Sequence, residues 1–96
     1  NMILSWRGRL AEDLFLDRHS TATRRFGGML REVARRKLQY LNSAARLDDL
    51  RSPPGNRLEA LKGDLAGKHS IRINDQWRIV FRWQQGAHEV EIVDYH

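Results

Sequence analysis

The last three residues of this 96-residue chain set an acid, a phenol and an imidazole side by side: Asp94, Tyr95 and His96. Such a triplet can move protons, and an imidazole serves in both directions near neutral pH. The end of a strand can carry the same three residues without any function. Glu59 is a second candidate, either as a general base or as a surface partner for an arginine. Lys62 opens Lys62-Gly63-Asp64 and can clamp a phosphate at a sheet edge, although a tight turn alone accounts for Gly63 and Asp64. Arg72, Arg78 and Arg82 alternate with apolar residues, which places them on one side of a sheet. Guanidinium groups for phosphate and an aromatic ring for a base suit single-stranded nucleic acid.

Two kinds of element must position these residues. In the first half the apolar residues step by three or four. Leu10, Leu14 and Phe15 predict a helix near 9–17, and Met2 to Trp6 a short strand before it. Ser20 to Thr23 offer N-caps after a break. Phe26, Leu30, Val33, Ala34, Leu38, Leu41 and Ala45 then mark one face of a long helix from about Arg24 to 42–45, with Gly27-Gly28 delaying its start. Leu47 to Leu50 adds one more turn, and Pro53-Pro54-Gly55-Asn56 stops it.

The second half alternates instead. Arg57 to Leu61, His69 to Asn74, Trp77 to Trp83 and His88 to Tyr95 predict strands. A two-residue turn at Gln85-Gly86 pairs Trp83 with His88, Phe81 with Val90 and Ile79 with Ile92. That register sets Arg82 opposite Glu89 and Arg78 opposite Val93, with Tyr95 diagonal to Arg78. The expected architecture is α+β: two to three N-terminal helices on one face of a small, mainly antiparallel sheet, the other face wet. One domain over residues 1–96 is expected, because a chain this short holds one core.

Composition narrows the function. There is no cysteine, so disulfide scaffolds, thiolate metal sites and thiol catalysis are excluded. His19, His69, His88 and His96 show no metal-ligand spacing; neither metal nor cofactor is expected. Phosphate-loop, dinucleotide-binding, zinc-protease and serine-hydrolase motifs are missing. No apolar run reaches the roughly 20 residues of a membrane span, and no secretory signal is visible; the expected compartment is the cytoplasm. Met2, directly after Asn1, reads as an initiator methionine. The net charge is +5, and it is localised. Residues 18–37 hold Arg18, Arg24, Arg25, Arg31, Arg35, Arg36 and Lys37 against Glu32 alone, on an otherwise nearly neutral body. A basic segment of this kind suits a polyanionic or acidic partner, or simply a solvated helix face.

Three runs at once resemble one family: Asn56 to Asp64, His69 to Ile79, and Val90 to His96. Together they resemble the HigB-type toxins (HigB/GraT) of the RelE/ParE superfamily over nearly the whole chain, most strongly from Leu47 to His96. The resemblance implies a microbial-ribonuclease-like RelE fold. It implies a ribosome-dependent mRNA interferase that cuts mRNA in the ribosomal A site. Its partners would be the 70S ribosome, mRNA and a HigA-type helix-turn-helix antitoxin, with operator DNA reached only through the antitoxin and no membrane. In such an enzyme Arg78 would stabilise phosphorane charge and Lys62 would hold the scissile phosphate. His96 would be the acid or base, Tyr95 would stack on or orient a base, and Asp94 would orient His96 or Arg78. Glu59 stands where some HigB toxins have histidine; a carboxylate can still serve as base, though it repels phosphate. Arg24, Arg25, Arg31, Arg35, Arg36, Lys37, Lys68, Arg72 and Arg82 would contact RNA or ribosome. ParE-type relatives share the fold but poison DNA gyrase, and a non-catalytic RNA-binding module is a further alternative.

Overall fold

The computed structural model describes residues 2–95. Two α-helices, α1 (Leu10–Phe15) and α2 (Gly28–Ser43), precede three short 3-10 turns and four strands. The strands are β1 (Glu59–Ala60), β2 (His69–Arg72), β3 (Trp77–Trp83) and β4 (Ala87–Asp94). They form one antiparallel sheet in the order β1-β2-β3-β4. The α+β reading therefore holds, with the helices on one sheet face. No helix among the described residues is long and apolar enough to cross a membrane.

The long helix forms where its apolar period required. Ala34, Leu38 and Leu41 are fully buried and share one cluster with Ile71, Ile79, Phe81 and Val90 of the sheet. Its start is later than Arg24, because Gly27 is the N-cap and Gly28 the first helical residue. Ser20 and Thr23 do not cap it. They fold the preceding loop instead: Ser20 donates its hydroxyl to Asp13 Oδ2 at 2.7 Å and its amide to Thr23 Oγ1 at 3.0 Å.

Three strand expectations need correction. The first strand is two residues long rather than five, because Arg57 takes a left-handed conformation (φ 47°) and the chain turns again at Lys62. Met2 to Trp6 is not a regular strand; Ile3 and Trp6 make isolated parallel bridges to Ala87 and Val90. The final hairpin keeps the expected register only at its open end, with Arg78 on Val93, Ile79 on Ile92 and Val80 on Glu91. A bulge then shifts it by one residue, so that Arg82 faces His88 and Trp83 faces Ala87. Glu89 (φ 54°) lies in the left-handed region within this stretch of β4 and absorbs the extra residue.

The N-terminal segment covers the β4 edge through Leu4 N–H to Ala87 O (2.8 Å), Ala87 N–H to Met2 O (2.6 Å) and Val90 N–H to Ser5 O (3.1 Å). Gly86 makes this close approach possible. A Cβ there would stand 2.7 Å from Leu4 Cδ1 and 2.9 Å from Met2 O, on a backbone with φ 151°. Gly86→Ala should cost about 1–3 kcal/mol and speed amide exchange at Ala87 and Val90; unchanged exchange would refute it.

Acid should loosen the 13–23 region first. Asp13 titrates below its ordinary value, held ionised by the Ser20 hydroxyl against the opposing effect of burial, with Arg18 and Arg9 adding to the effect. Asp17 is lowered by the Arg31 hydrogen bond and then by Arg35. Both folded values lie below the unfolded ones. Their contribution is thus full above the unfolded value near ~4 and is lost as pH falls through the folded values. Melting temperature should drop over that acid range, and Asp13→Asn should flatten the slope.

Candidate active site

The sheet face turned away from the helices carries the candidate residues. Arg78 is their centre. Its Nη1 donates to Glu59 Oε1 at 2.6 Å and to Ser70 Oγ at 3.3 Å. Its Cζ lies 4.7 Å from the centroid of the Tyr95 ring, a cation–π contact. Adjacent strands bring these groups together. Glu59 pairs with Ser70, and Arg78 pairs with Arg72 on one side and Val93 on the other. The Arg78 side chain is 13% exposed, whereas Glu59 is 49% exposed. The acid side of the pair is the more open to an incoming group.

The structure gathers Glu59, Arg72, Arg78 and Tyr95. Lys62 is exposed in the turn after β1, as the N-cap of a short 3-10 turn (Gly63–Leu65), three residues beyond Glu59. Asp94 accepts a hydrogen bond from Gln76 Nε2 at 3.1 Å and pairs with Trp77 across the sheet. His96 lies outside the described residues. Arg82 stands four residues along β3 from Arg78, roughly 13 Å at the usual strand rise. It donates to Gln84 Oε1 at 2.9 Å and approaches Glu89 to 3.6 Å.

This face is neither wholly wet nor strongly basic. Ser70 and Val80 at its middle are fully buried. Around them five cations have acids: Arg72 with Asp75, Arg78 with Glu59, Arg82 with Glu89, Lys68 with Glu89 and Glu91 (3.9 Å each), and Arg7 with Glu91 (3.9 Å). Asp75 titrates below its ordinary value because of the Arg72 hydrogen bond and charge. The carboxylates at Glu89 and Glu91 were visible as outward-facing positions of the last strand; their pairing with Lys68 was not.

The basic segment divides in the same way. Arg24 and Arg36 are exposed. Arg25 is exposed too, but its guanidinium lies 4.9 Å over the Trp77 ring. Arg35 donates to Leu14 O at 2.9 Å and lies 3.7 Å from Asp17. Arg31 and Lys37 depart from the surface expectation, since both are buried. Arg31 donates to Asp17 Oδ1 (3.0 Å) and Arg18 O (2.9 Å), fixing the loop between the helices. Lys37 donates to Asn56 Oδ1 at 2.6 Å, and Asn56 in turn donates to Leu50 O and Ser52 O. Burial pushes the Lys37 ammonium below its ordinary value, helped by Arg36 and Arg72.

Two histidines serve the fold. His88 Nε2 lies 2.9 Å from Gln84 O, bracing the last turn. The His69 ring stacks 6.4 Å from Phe81 on the helix side.

Residues 12–96 match the family of HigB-like toxins, the RelE-like toxins of type II toxin-antitoxin systems. The chain belongs to this family. It is 48% identical over 61 residues, 64% of either chain, to Toxin HigB-1 of Vibrio cholerae. It is 34% identical over 67 residues to an uncharacterized protein of Haemophilus influenzae, covering 70% of this chain and 66% of that one. The matched stretches thus span just under two thirds of the length of these curated relatives. For a HigB-like toxin the sheet face around Arg78 is the natural candidate site, because it unites a cation, a carboxylate and an exposed aromatic ring.

Substitutions in the basic segment should separate fold from surface. Arg31→Met removes the hydrogen bonds to Asp17 Oδ1 and to the Arg18 carbonyl and should cost about 1–3 kcal/mol. Arg24→Gln and Arg36→Gln should stay within about 0.5 kcal/mol of the parent while weakening retention on an RNA column. Equal melting temperatures for all three variants would contradict this division.

Proposed function

We propose that this HigB-like toxin is a ribosome-dependent endoribonuclease that arrests translation by cutting mRNA. The observation that carries the proposal is the Arg78 guanidinium, shared between Glu59 and the Tyr95 ring on an otherwise neutralised face. Cleavage of RNA by its own 2′-OH needs a base for that hydroxyl, an acid for the leaving 5′-oxygen and a cation for the phosphorane.

Each role has a candidate. Glu59 accepts the 2′-OH proton as the 2′-oxygen attacks phosphorus. Arg78 takes the growing charge on the non-bridging oxygens. Lys62, in its exposed turn, holds the phosphate. His96 protonates the departing 5′-oxygen, with Asp94 orienting it. The products are a 2′,3′-cyclic phosphate and a free 5′-OH, so no water is consumed in the first step. Tyr95 offers its exposed ring to a base beside the scissile bond. Arg24, Arg25, Arg35, Arg36, Lys68, Arg72 and Arg82 supply contacts to RNA or to the ribosome. A HigA-type helix-turn-helix antitoxin is the proposed partner that restrains the toxin, which would act in the cytoplasm.

Primer extension on translated mRNA tests the reading. Wild-type protein should cut within codons only when ribosomes are present. Arg78→Ala should slow single-turnover cutting by about 10²–10³-fold, as loss of one charge-stabilising donor does elsewhere. His96→Ala should abolish it. No cutting, together with inhibition of DNA gyrase, would transfer the protein to the ParE-like reading. No cutting and no effect on gyrase, with salt-sensitive RNA binding alone, would leave a binding module.

A further inference from the structure

Ser70 is an unusual residue for its place. It lies inside the sheet, paired with Glu59 on β1 and Val80 on β3, and is fully buried. Such a position favours a β-branched apolar side chain. A buried hydroxyl costs free energy there unless it is hydrogen-bonded. Its side-chain bond is with Arg78, whose Nη1 it receives at 3.3 Å.

Arg78 therefore has two holders of opposite character. Glu59 is half exposed, charged and close. Ser70 is buried, neutral and fixed to the sheet. Resting on the nuclease reading, Glu59 must turn from Arg78 to the 2′-OH when RNA arrives. At that moment the ion pair that places the guanidinium is lost. The Ser70 oxygen and the Tyr95 ring remain.

We propose that Ser70 is a positioning residue for Arg78, keeping its guanidinium over Tyr95 and facing the phosphate once Glu59 has left it. The hydroxyl touches neither RNA nor the reacting atoms. It acts by limiting the directions open to Arg78 during the step that needs it.

Two measurements test this. The first uses free protein and needs no activity: the Arg78 Nε–Hε resonance, displaced by the Tyr95 ring current, is followed by NMR. It should persist in Glu59→Ala, which retains Ser70, and collapse toward the random-coil position in Glu59→Ala/Ser70→Ala. A resonance unmoved in the double variant would overturn the proposal.

The second uses single-turnover cleavage on saturating programmed ribosomes. Ser70→Ala removes only the hydroxyl and adds no volume. It should slow cutting by about tenfold or more, as misplacement of a reacting group does, with ribosome affinity and melting temperature close to the parent. Ser70→Thr, which keeps the hydroxyl, should recover most of the rate. Parental rates in Ser70→Ala, or losses that track melting temperature in both variants, would overturn the proposal. If wild-type protein cuts nothing, the nuclease reading fails by itself, and the resonance still decides whether Ser70 holds Arg78.

Discussion

Central strand β3 carries two opposed demands. Its Ile79 and Phe81 must be sealed by α2, and they are, under Ala34, Leu38 and Leu41. Its other side carries Arg78, Val80 and Arg82, a buried apolar residue between two cations. A strand dry on one face and charged on the other cannot slip register by one residue without exposing its core. The pairing of Arg78 with Arg72 and Val93 is therefore set by packing on the far side of the sheet. The candidate site inherits its geometry from that packing.

Electrostatics follow the same hierarchy. Much of this chain's excess charge works inside the fold. Arg31 ties α2 to the end of α1 through Asp17, and Lys37 ties α2 to the 50–56 loop through Asn56. On the site face five cations are matched by Asp75, Glu59, Glu89 and Glu91. Net charge alone thus overstates how strongly this face attracts a polyanion. What distinguishes Arg78 among its neighbours is its contact with an exposed ring and a buried hydroxyl as well as a carboxylate.

Particular residues show where the sequence was informative. The α2 face was legible because Leu30, Val33, Ala34, Leu38 and Leu41 recur at helical spacing and all are buried or partly buried against the core. The hairpin register was legible at Ile79 and Ile92, where apolar residues face each other across strands. It failed toward the turn, because the bulge depends on a left-handed Glu89 and no glycine or asparagine marks that position. Arg31 and Lys37 were assigned to the surface by residue type, a rule that burial with a specific partner overrides. Ser70 was visible only as an outward-facing strand residue; its burial and its bond to Arg78 arise from long side chains crossing between strands, which period-2 alternation does not encode.

A neutralised face has a consequence for the proposed activity. Binding free RNA there would require breaking Arg78–Glu59 and its neighbouring pairs, and the gain from released counterions would be small because those cations already have partners. The ground-state attraction of the site for RNA is correspondingly weak. Transition-state attraction is another matter: a phosphorane carries more charge than the starting diester, and a guanidinium released from a carboxylate at that step is worth more to it. An enzyme arranged in this way depends on something else to bring the substrate close. Exposed Arg24, in the turn before α2, and exposed Arg36, on α2, lie outside the sheet that carries the reacting centre, where attachment to a large polyanionic assembly would not disturb Arg78. On the nuclease reading, dependence on the ribosome follows from the pairing of charges on the sheet: the assembly supplies proximity, and the Arg78 group supplies chemistry only once RNA is already in place.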